Sequence, residues 1–238
     1  METNIIYNKD CFTEIKNIPD KSIDLVITDP PYLHTKGRGV NHKTGKYYAN
    51  GNYKFANSEL YSTSGFMMHE MSGFGENDID SILNEFVRVC KIPNMYIFCN
   101  ETQIPYYTMW AETHDLMFSI LVWEKPLSII NKNRFSQNIE FIVRIYDYGT
   151  ALNRLEHRNN YYNRVQCIPP VTPSQKLHPT QKPVELIDVF INLSSKKMIL
   201  FWIALVVAVQ QQYHAFVIKE DLYFLRKMKN IFKYPAKE

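Results

Sequence analysis

The residues best suited to chemistry in this chain are Asp29, Pro30, Pro31 and Tyr32, which close an apolar run, Ile23-Asp24-Leu25-Val26-Ile27-Thr28. Two successive prolines fix φ and push the residue before each toward extended geometry, so the chain leaves the run as a stiff corner. Such a corner offers one carboxylate, backbone carbonyls with no amide donor between them, and one aromatic face. That set suits a planar ring that carries an amino group. The same four residues also fit an ordinary strand-ending turn, and the tetrapeptide alone does not separate the two readings. A second segment, His178-Pro179-Thr180-Gln181-Lys182-Pro183, precedes Val184-Glu185-Leu186-Ile187-Asp188-Val189-Phe190-Ile191, whose apolar positions recur at helical spacing. Pro183 suits the first position of that helix, which leaves Lys182 open to a plain reading as a solvated flank.

These residues need elements to hold them. An apolar run bounded by prolines reads as a buried strand of a parallel sheet, and open α/β sheets bind ligands at the C-terminal ends of such strands. Further strands are expected at 4–7, Asn94–Cys99, Leu116–Trp123 and Ile139–Tyr146, alternating with helices at Phe12–Lys16, Ile79–Cys90 and Gln103–Thr113. Asp78 is the expected cap of the second helix. This alternation predicts an α/β fold with a mostly parallel sheet and helices on both faces. Between about 34 and 76 periodicity disappears, and Gly, Asn, Ser, Tyr and His dominate; the segment is too long for an ordinary connection. The stretch from about 149 to 177 is also loop-like and proline-punctuated.

Composition narrows the class without naming it. A chain of 238 residues can bury one sizeable core, and its net charge of +3 is a weak pointer to a polyanionic partner. Cys11, Cys90, Cys99 and Cys167 are scattered, without a C-x-x-C pair or a His/Cys cluster at zinc spacing, so no metal site is expected. They read as reduced thiols of a cytoplasmic protein. Met1-Glu2-Thr3-Asn4 lacks the basic and apolar regions of a signal peptide, and the most apolar run, Met198 to Val209, is too short to span a bilayer. No membrane role is expected.

Taken in order, the D-P-P-Y tetrapeptide and the H-P-T-Q-K-P hexapeptide resemble the amino-methyltransferases of DNA, and their order is similar to the circularly permuted β group. Asn8-Lys9-Asp10-Cys11 and Ile18-Pro19-Asp20-Lys21-Ser22-Ile23-Asp24-Leu25 also resemble the way that family begins, and the likeness runs from about Ile5 to about Lys197. It implies a Rossmann-like methyltransferase fold and transfer of a methyl group from S-adenosylmethionine to the exocyclic amine of a base. The lone pair of such an amine is delocalised into the ring, so the nitrogen must be drawn toward tetrahedral geometry before it attacks. The carboxylate of Asp29 and the carbonyl of Pro30 would accept its two hydrogens, and both bonds strengthen as positive charge develops on nitrogen. Pro31 stiffens the corner, and Tyr32 would stack on the base once it is flipped from the duplex.

The resemblance also implies cofactor-side roles for His178, Pro179 and Lys182, near the methionine end, and for Asp10, near the adenine. Double-stranded DNA is the implied partner, and a companion restriction endonuclease is one the resemblance leaves open. For the DNA, the first long segment carries Lys36, Arg38, Lys43 and Lys46 among tyrosines, and the second carries Arg154, Arg158 and Arg164 beside Tyr161 and Tyr162. Basic residues hold phosphates and aromatics offer stacking faces, although hydrated surface loops share this composition. Asp at the head of the tetrapeptide favours adenine N6 over cytosine N4. A methyltransferase of protein glutamine would also use a Pro-Pro-Tyr loop, but there Asn usually comes first and the glycine-rich motif precedes it.

One region departs from the family pattern. After the hexapeptide the family carries a strand and then D-P-F-x-G-S-G-T, whose glycines let the backbone approach the cofactor. Here Phe201-Trp202-Ile203-Ala204-Leu205-Val206-Val207-Ala208-Val209 holds no glycine. Valines do not adopt positive φ, and their side chains fill the space. The genetic code suggests why. Joining the third base of each codon to the first two of the next, Met198-Ile199 must give aspartate, Phe201-Trp202 leucine and Trp202-Ile203 aspartate. The pairs that follow permit L-D-x-F-x-G-S-G-T, and Met228-Lys229 forces a glutamate further on. Lys196-Lys197-Met198 can be encoded by an unbroken adenine run, a natural place for a one-base slip.

The expectation is therefore a methyltransferase domain over 1–197 followed by an out-of-frame tail over 198–238, with the C-terminal strands incomplete or altered. In the rival expectation the ending is genuine but divergent, Phe216-Val217-Ile218-Lys219 forms a second cofactor strand, and Glu220 holds the ribose. A non-catalytic DNA-binding remnant is the alternative of a different class.

Overall fold

Leu25, Val26, Ile27 and Thr28 are all buried, as are the six residues Asn94–Cys99, and these two strands lie side by side and parallel. Strands covered on both faces need apolar side chains at every position, which explains two continuous runs where a half-exposed strand would alternate. The computed structural model describes residues 5–7, 11–30, 76–126, 135–136, 138–153, 159–172, 182–194, 200–204 and 215–219. In chain order the elements are β1 (Ile5–Tyr7), α1 (Cys11–Glu14), β2 (Leu25–Thr28), α2 (Glu76–Val89), β3 (Asn94–Cys99), α3 (Ile104–Thr113), β4 (Met117–Glu124), β5 (Ile139–Tyr146), β6 (Val165–Cys167), α4 (Val184–Ser194), β7 (Leu200–Ala204) and β8 (Ala215–Lys219).

The strands form one sheet in the order β1-β8-β7-β2-β3-β5-β4-β6. Its centre, β7-β2-β3, is parallel. Its flanks are mixed: β5 runs antiparallel to both β3 and β4, β8 runs antiparallel to β7 and β1, and β6 is parallel to β4. The Rossmann-like α/β architecture with helices on both faces is as expected, while parallel pairing is a property of its centre and of the β4-β6 edge. On one face α1, α2 and α3 cover Val26, Met95, Ile97, Cys99, Val143 and Ile145. On the other, α4 covers Leu25, Ile27, Tyr96, Phe98, Trp123 and Ile142. Phe190 of α4 anchors that second face, stacking on Tyr96 at 4.4 Å and meeting Phe98 edge-on at 6.2 Å. Burial of one such ring contributes on the order of 2–3 kcal/mol.

Two boundaries differ from the sequence reading. Helix α2 begins at Glu76, so Asp78 lies in its first turn, where a carboxylate still favours the helix dipole, and is not the residue before it. The stretch expected to be loop from about 149 contains a 3-10 turn at Asn159–Tyr162 and the short strand β6. Gln166 explains this strand: buried at 5% exposure, its amide donates to the carbonyls of Asn163 (2.7 Å) and Tyr161 (3.2 Å). A polar residue pinned by its own turn leaves no periodicity to read.

The chain enters β2 through a fastened corner. Arg88, at the end of α2, donates to the carbonyls of Ile15 (2.8 Å) and Ile18 (2.9 Å) and pairs with Glu85 and Asp20. Lys21 takes a positive φ of 50° as the chain turns, and the Ser22 and Ile23 amides donate to the carbonyl of Val89. Helix α3 ends in the same economical way, with Asp115 at φ 53° and the Leu116 amide donating to the Ala111 carbonyl at 2.9 Å.

Candidate active site

Side chains alternate along a strand, so Leu25 and Ile27, which face α4, make Asp29 the next residue on that face just past the end of β2. The same alternation carries Trp123 on to Lys125 beyond β4, and on the antiparallel β5 it carries Ile142 back to Glu140. Phe98 lies between them on β3. Strand direction brings the C-terminal ends of β2, β3, β4 and β6 and the first residue of β5 to one end of the sheet. There α4 begins, with Lys182 just before it.

At this end four charged side chains alternate in sign. The Lys182 ammonium donates to Asp29 Oδ2 at 2.6 Å and reaches Glu140 Oε2 at 3.2 Å. The other oxygen of Glu140 accepts from Lys125 at 2.5 Å. Lys182 is nearly enclosed, its side chain 6% exposed, with its ammonium 5.0 Å from the centre of the Phe98 ring. Lys125 sits 5.0 Å over Trp123, whose indole donates to the Ile168 carbonyl at 2.7 Å. Burial opposes the charge on Lys182, but Asp29 and then Glu140 outweigh it and hold its pKa above the ordinary lysine value. Burial likewise opposes ionisation of Glu140, and Lys182 and Lys125 reverse it, leaving that carboxyl below its ordinary value. Both groups are charged at neutral pH.

The opposite face behind Asp29 is apolar and neutral. Burial pushes the Cys99 thiol up to about 12, with the charges of Asp29 and Glu101 adding to the effect. It also raises Tyr107 well above the usual phenol range, and the Tyr107 hydroxyl is a buried polar atom with no hydrogen-bond partner. Beside them Asn100 and Gln103 close the turn after β3 by reciprocal bonds of 3.1–3.2 Å.

Of the residues singled out by sequence, the structure brings Asp29, Pro30 and Lys182 together. Pro30 is buried directly after Asp29. Pro31, Tyr32, Asp10, His178, Pro179, Glu220, Lys36, Arg38, Lys43, Lys46, Arg154 and Arg158 lie outside the described residues. Arg164 is exposed just before β6, away from the Asp29 end of that strand. β8 runs antiparallel to β7 and closes with Lys219 beside Leu200, a strand length from Ala204, the residue level with Thr28. Lys182 stands against two protein carboxylates, where a solvated flank would face water. Sequence reasoning missed Glu140. An acid two residues before a buried position of an apolar strand is the signal that would have found it. Phe135, between β4 and β5 at this end of the sheet, is 99% exposed. Among the described residues no group of His, Cys, Asp and Glu could hold a metal ion, and no helix is long and apolar enough to cross a membrane.

Comparison with known proteins agrees with this fold. No curated protein matches the chain. Among solved structures, that of the M1.HpyAVI–SAM complex superposes with a TM-score of 0.53 at 16% identity, covering 81% of this chain and 77% of its own. The PvuII DNA methyltransferase, cytosine-N4-specific, gives a TM-score of 0.53 at 12% identity, with 81% and 71% covered. At such identities the likeness establishes the fold. A family model described as DNA methylase matches residues 23–200, which takes in the Asp29 corner, the Lys182 hexapeptide and every strand between them. On that match the chain belongs to the DNA methylase family.

Proposed function

We propose that this chain is built to methylate the exocyclic amine of a base flipped from duplex DNA, with adenine N6 as the acceptor and S-adenosylmethionine as the donor. The observation that carries the reading is the 2.6 Å ion pair between Asp29 and Lys182, which joins the two motifs across 153 positions of sequence at the ligand-binding end of the sheet. A carboxylate held ionised and still is what an aromatic amine requires. One amine hydrogen is accepted by Asp29 and the other by the carbonyl of Pro30, so charge that develops on nitrogen is stabilised as it forms. Asp at the head of the corner is the basis for preferring adenine over cytosine. Tyr32 supplies the stacking face, and Lys36, Arg38, Lys43, Lys46, Arg154, Arg158 and Arg164 hold phosphates.

The donor is a poorer fit to the residues present. Gly149 is the last glycine of the chain, so nothing after the hexapeptide can form the close-approach loop such a donor needs. The family match also stops at residue 200. These observations support an out-of-frame tail after about Lys197, and they favour a DNA-binding remnant as the second reading for the polypeptide in its present form. Calorimetric titration with S-adenosylmethionine separates the two. The present chain is expected to give no binding heat, and a version with the alternative ending restored is expected to bind. Equal binding by both would remove the out-of-frame proposal.

A further inference from the structure

Building on the amine-holding reading of Asp29, we propose that Glu140 is a positioning residue of the same site: by sharing the Lys182 ammonium, it sets how firmly Lys182 grips Asp29. A lysine ammonium has three donors, and here it stands 2.6 Å from Asp29, just past β2, and 3.2 Å from Glu140 on β5, so the two carboxylates share it. Without Glu140, the whole field of an enclosed ammonium would fall on Asp29, and a carboxylate so neutralised would attract a neutral amine weakly. Removal of Lys182 instead would leave Asp29 to meet its substrate with no cation to keep it ionised. Glu140 gives the intermediate setting, and Lys125 adjusts it by drawing the other Glu140 oxygen outward. Alternation of two cations with two anions leaves the buried cluster without net charge, so the arrangement avoids the cost of an uncompensated buried ion.

Among the described residues, the other titratable groups that feel the Asp29 charge are Cys99 of β3 and Tyr107 of α3, both held neutral by burial, and Glu101 also acts on Cys99. The charged arm that the described residues add to the Asp29–Lys182 pair is Glu140 with Lys125.

The test is a carboxyl-carbon NMR titration of the full chain labelled at aspartate, with the Asp29 signal assigned by its loss in Asp29→Asn. In Glu140→Gln the Asp29 midpoint moves to lower pH, because the ammonium is no longer shared. In Lys125→Met and in Lys182→Met it moves to higher pH, further in the second. An Asp29 midpoint that stays put or rises in Glu140→Gln overturns the proposal. Should that variant fail to fold, Lys125→Met decides alone: an upward shift supports the sharing, and an unmoved midpoint refutes it. The readout requires neither DNA nor a methyl donor, so loss of the methyltransferase reading would leave this result standing, and the reverse holds too.

Discussion

Asp29 is held by a lysine to which the sequence gives two readings, a cofactor-side residue and a solvated helix flank. Lys182 is buried two residues before α4 begins, and it is tolerated there because two carboxylates meet it. Replacing Lys182 with Met removes the ammonium that Asp29 and Glu140 share and leaves Glu140 with Lys125, and a loss of about 3–5 kcal/mol in urea unfolding at neutral pH is expected. The loss shrinks as the pH is lowered and the carboxylates protonate. The pH profile of the unaltered chain follows from the same pair. Glu140, held below its ordinary value, contributes stability above its unfolded pKa of about 4.3, and that contribution is lost as the pH falls through the folded value. Lys182, held above its ordinary value, contributes below its unfolded pKa of about 10.4, and that contribution is lost as the pH rises through the folded value. Denaturation midpoints measured across pH should therefore fall at both ends, and Glu140→Gln should flatten the acidic limb. Phe135 makes a separate prediction. As a fully exposed ring at the site end of the sheet, it should lower duplex DNA affinity in a filter-binding assay when changed to Ala, by about tenfold if it stacks on one base.

At the scale of elements, what positions the corner is the fastening around β2. The Arg88 side chain bonds both the Ile15 and Ile18 carbonyls. Arg88→Ala removes both bonds and leaves the Ile15 carbonyl with the Ile18 amide, and a destabilisation of roughly 1–3 kcal/mol in chemical unfolding is the expected outcome. Asp115→Gly should work in the other direction, relieving a left-handed backbone at φ 53° for a gain of up to about 1 kcal/mol in thermal unfolding. The long strands were legible because each carries a sustained apolar run: β3 and β5 fall where the residues indicate, Asn94–Cys99 and Ile139–Tyr146. β6 was not, since it is three residues long and held by a glutamine bonded to its own turn. The direction of β5 was also illegible, because antiparallel and parallel strands buried on both faces carry the same apolar run.

Across the whole molecule, the site was half visible in sequence. Motif order identified Asp29 and Lys182, but nothing local to either predicts that they touch, since their contact depends on β2 ending and α4 beginning at one place in the sheet. Glu140 is marked locally only as an acid near the start of an apolar strand, and its meeting with Lys182 depends on the neighbouring elements. The donor side is where local pattern and fold disagree. A chain that keeps β7 beside β2 carries no glycine after Gly149, where the family pattern is glycine-rich.

The most direct measurement is transfer of a radiolabelled methyl group to duplex DNA by three polypeptides side by side: the chain as it stands, the chain with the alternative ending restored after Lys197, and the restored chain carrying Asp29→Asn. Label is expected on adenine from the restored chain alone. A restored chain that folds and binds S-adenosylmethionine yet leaves DNA unlabelled, or one that labels it equally well without the Asp29 carboxylate, would contradict the account.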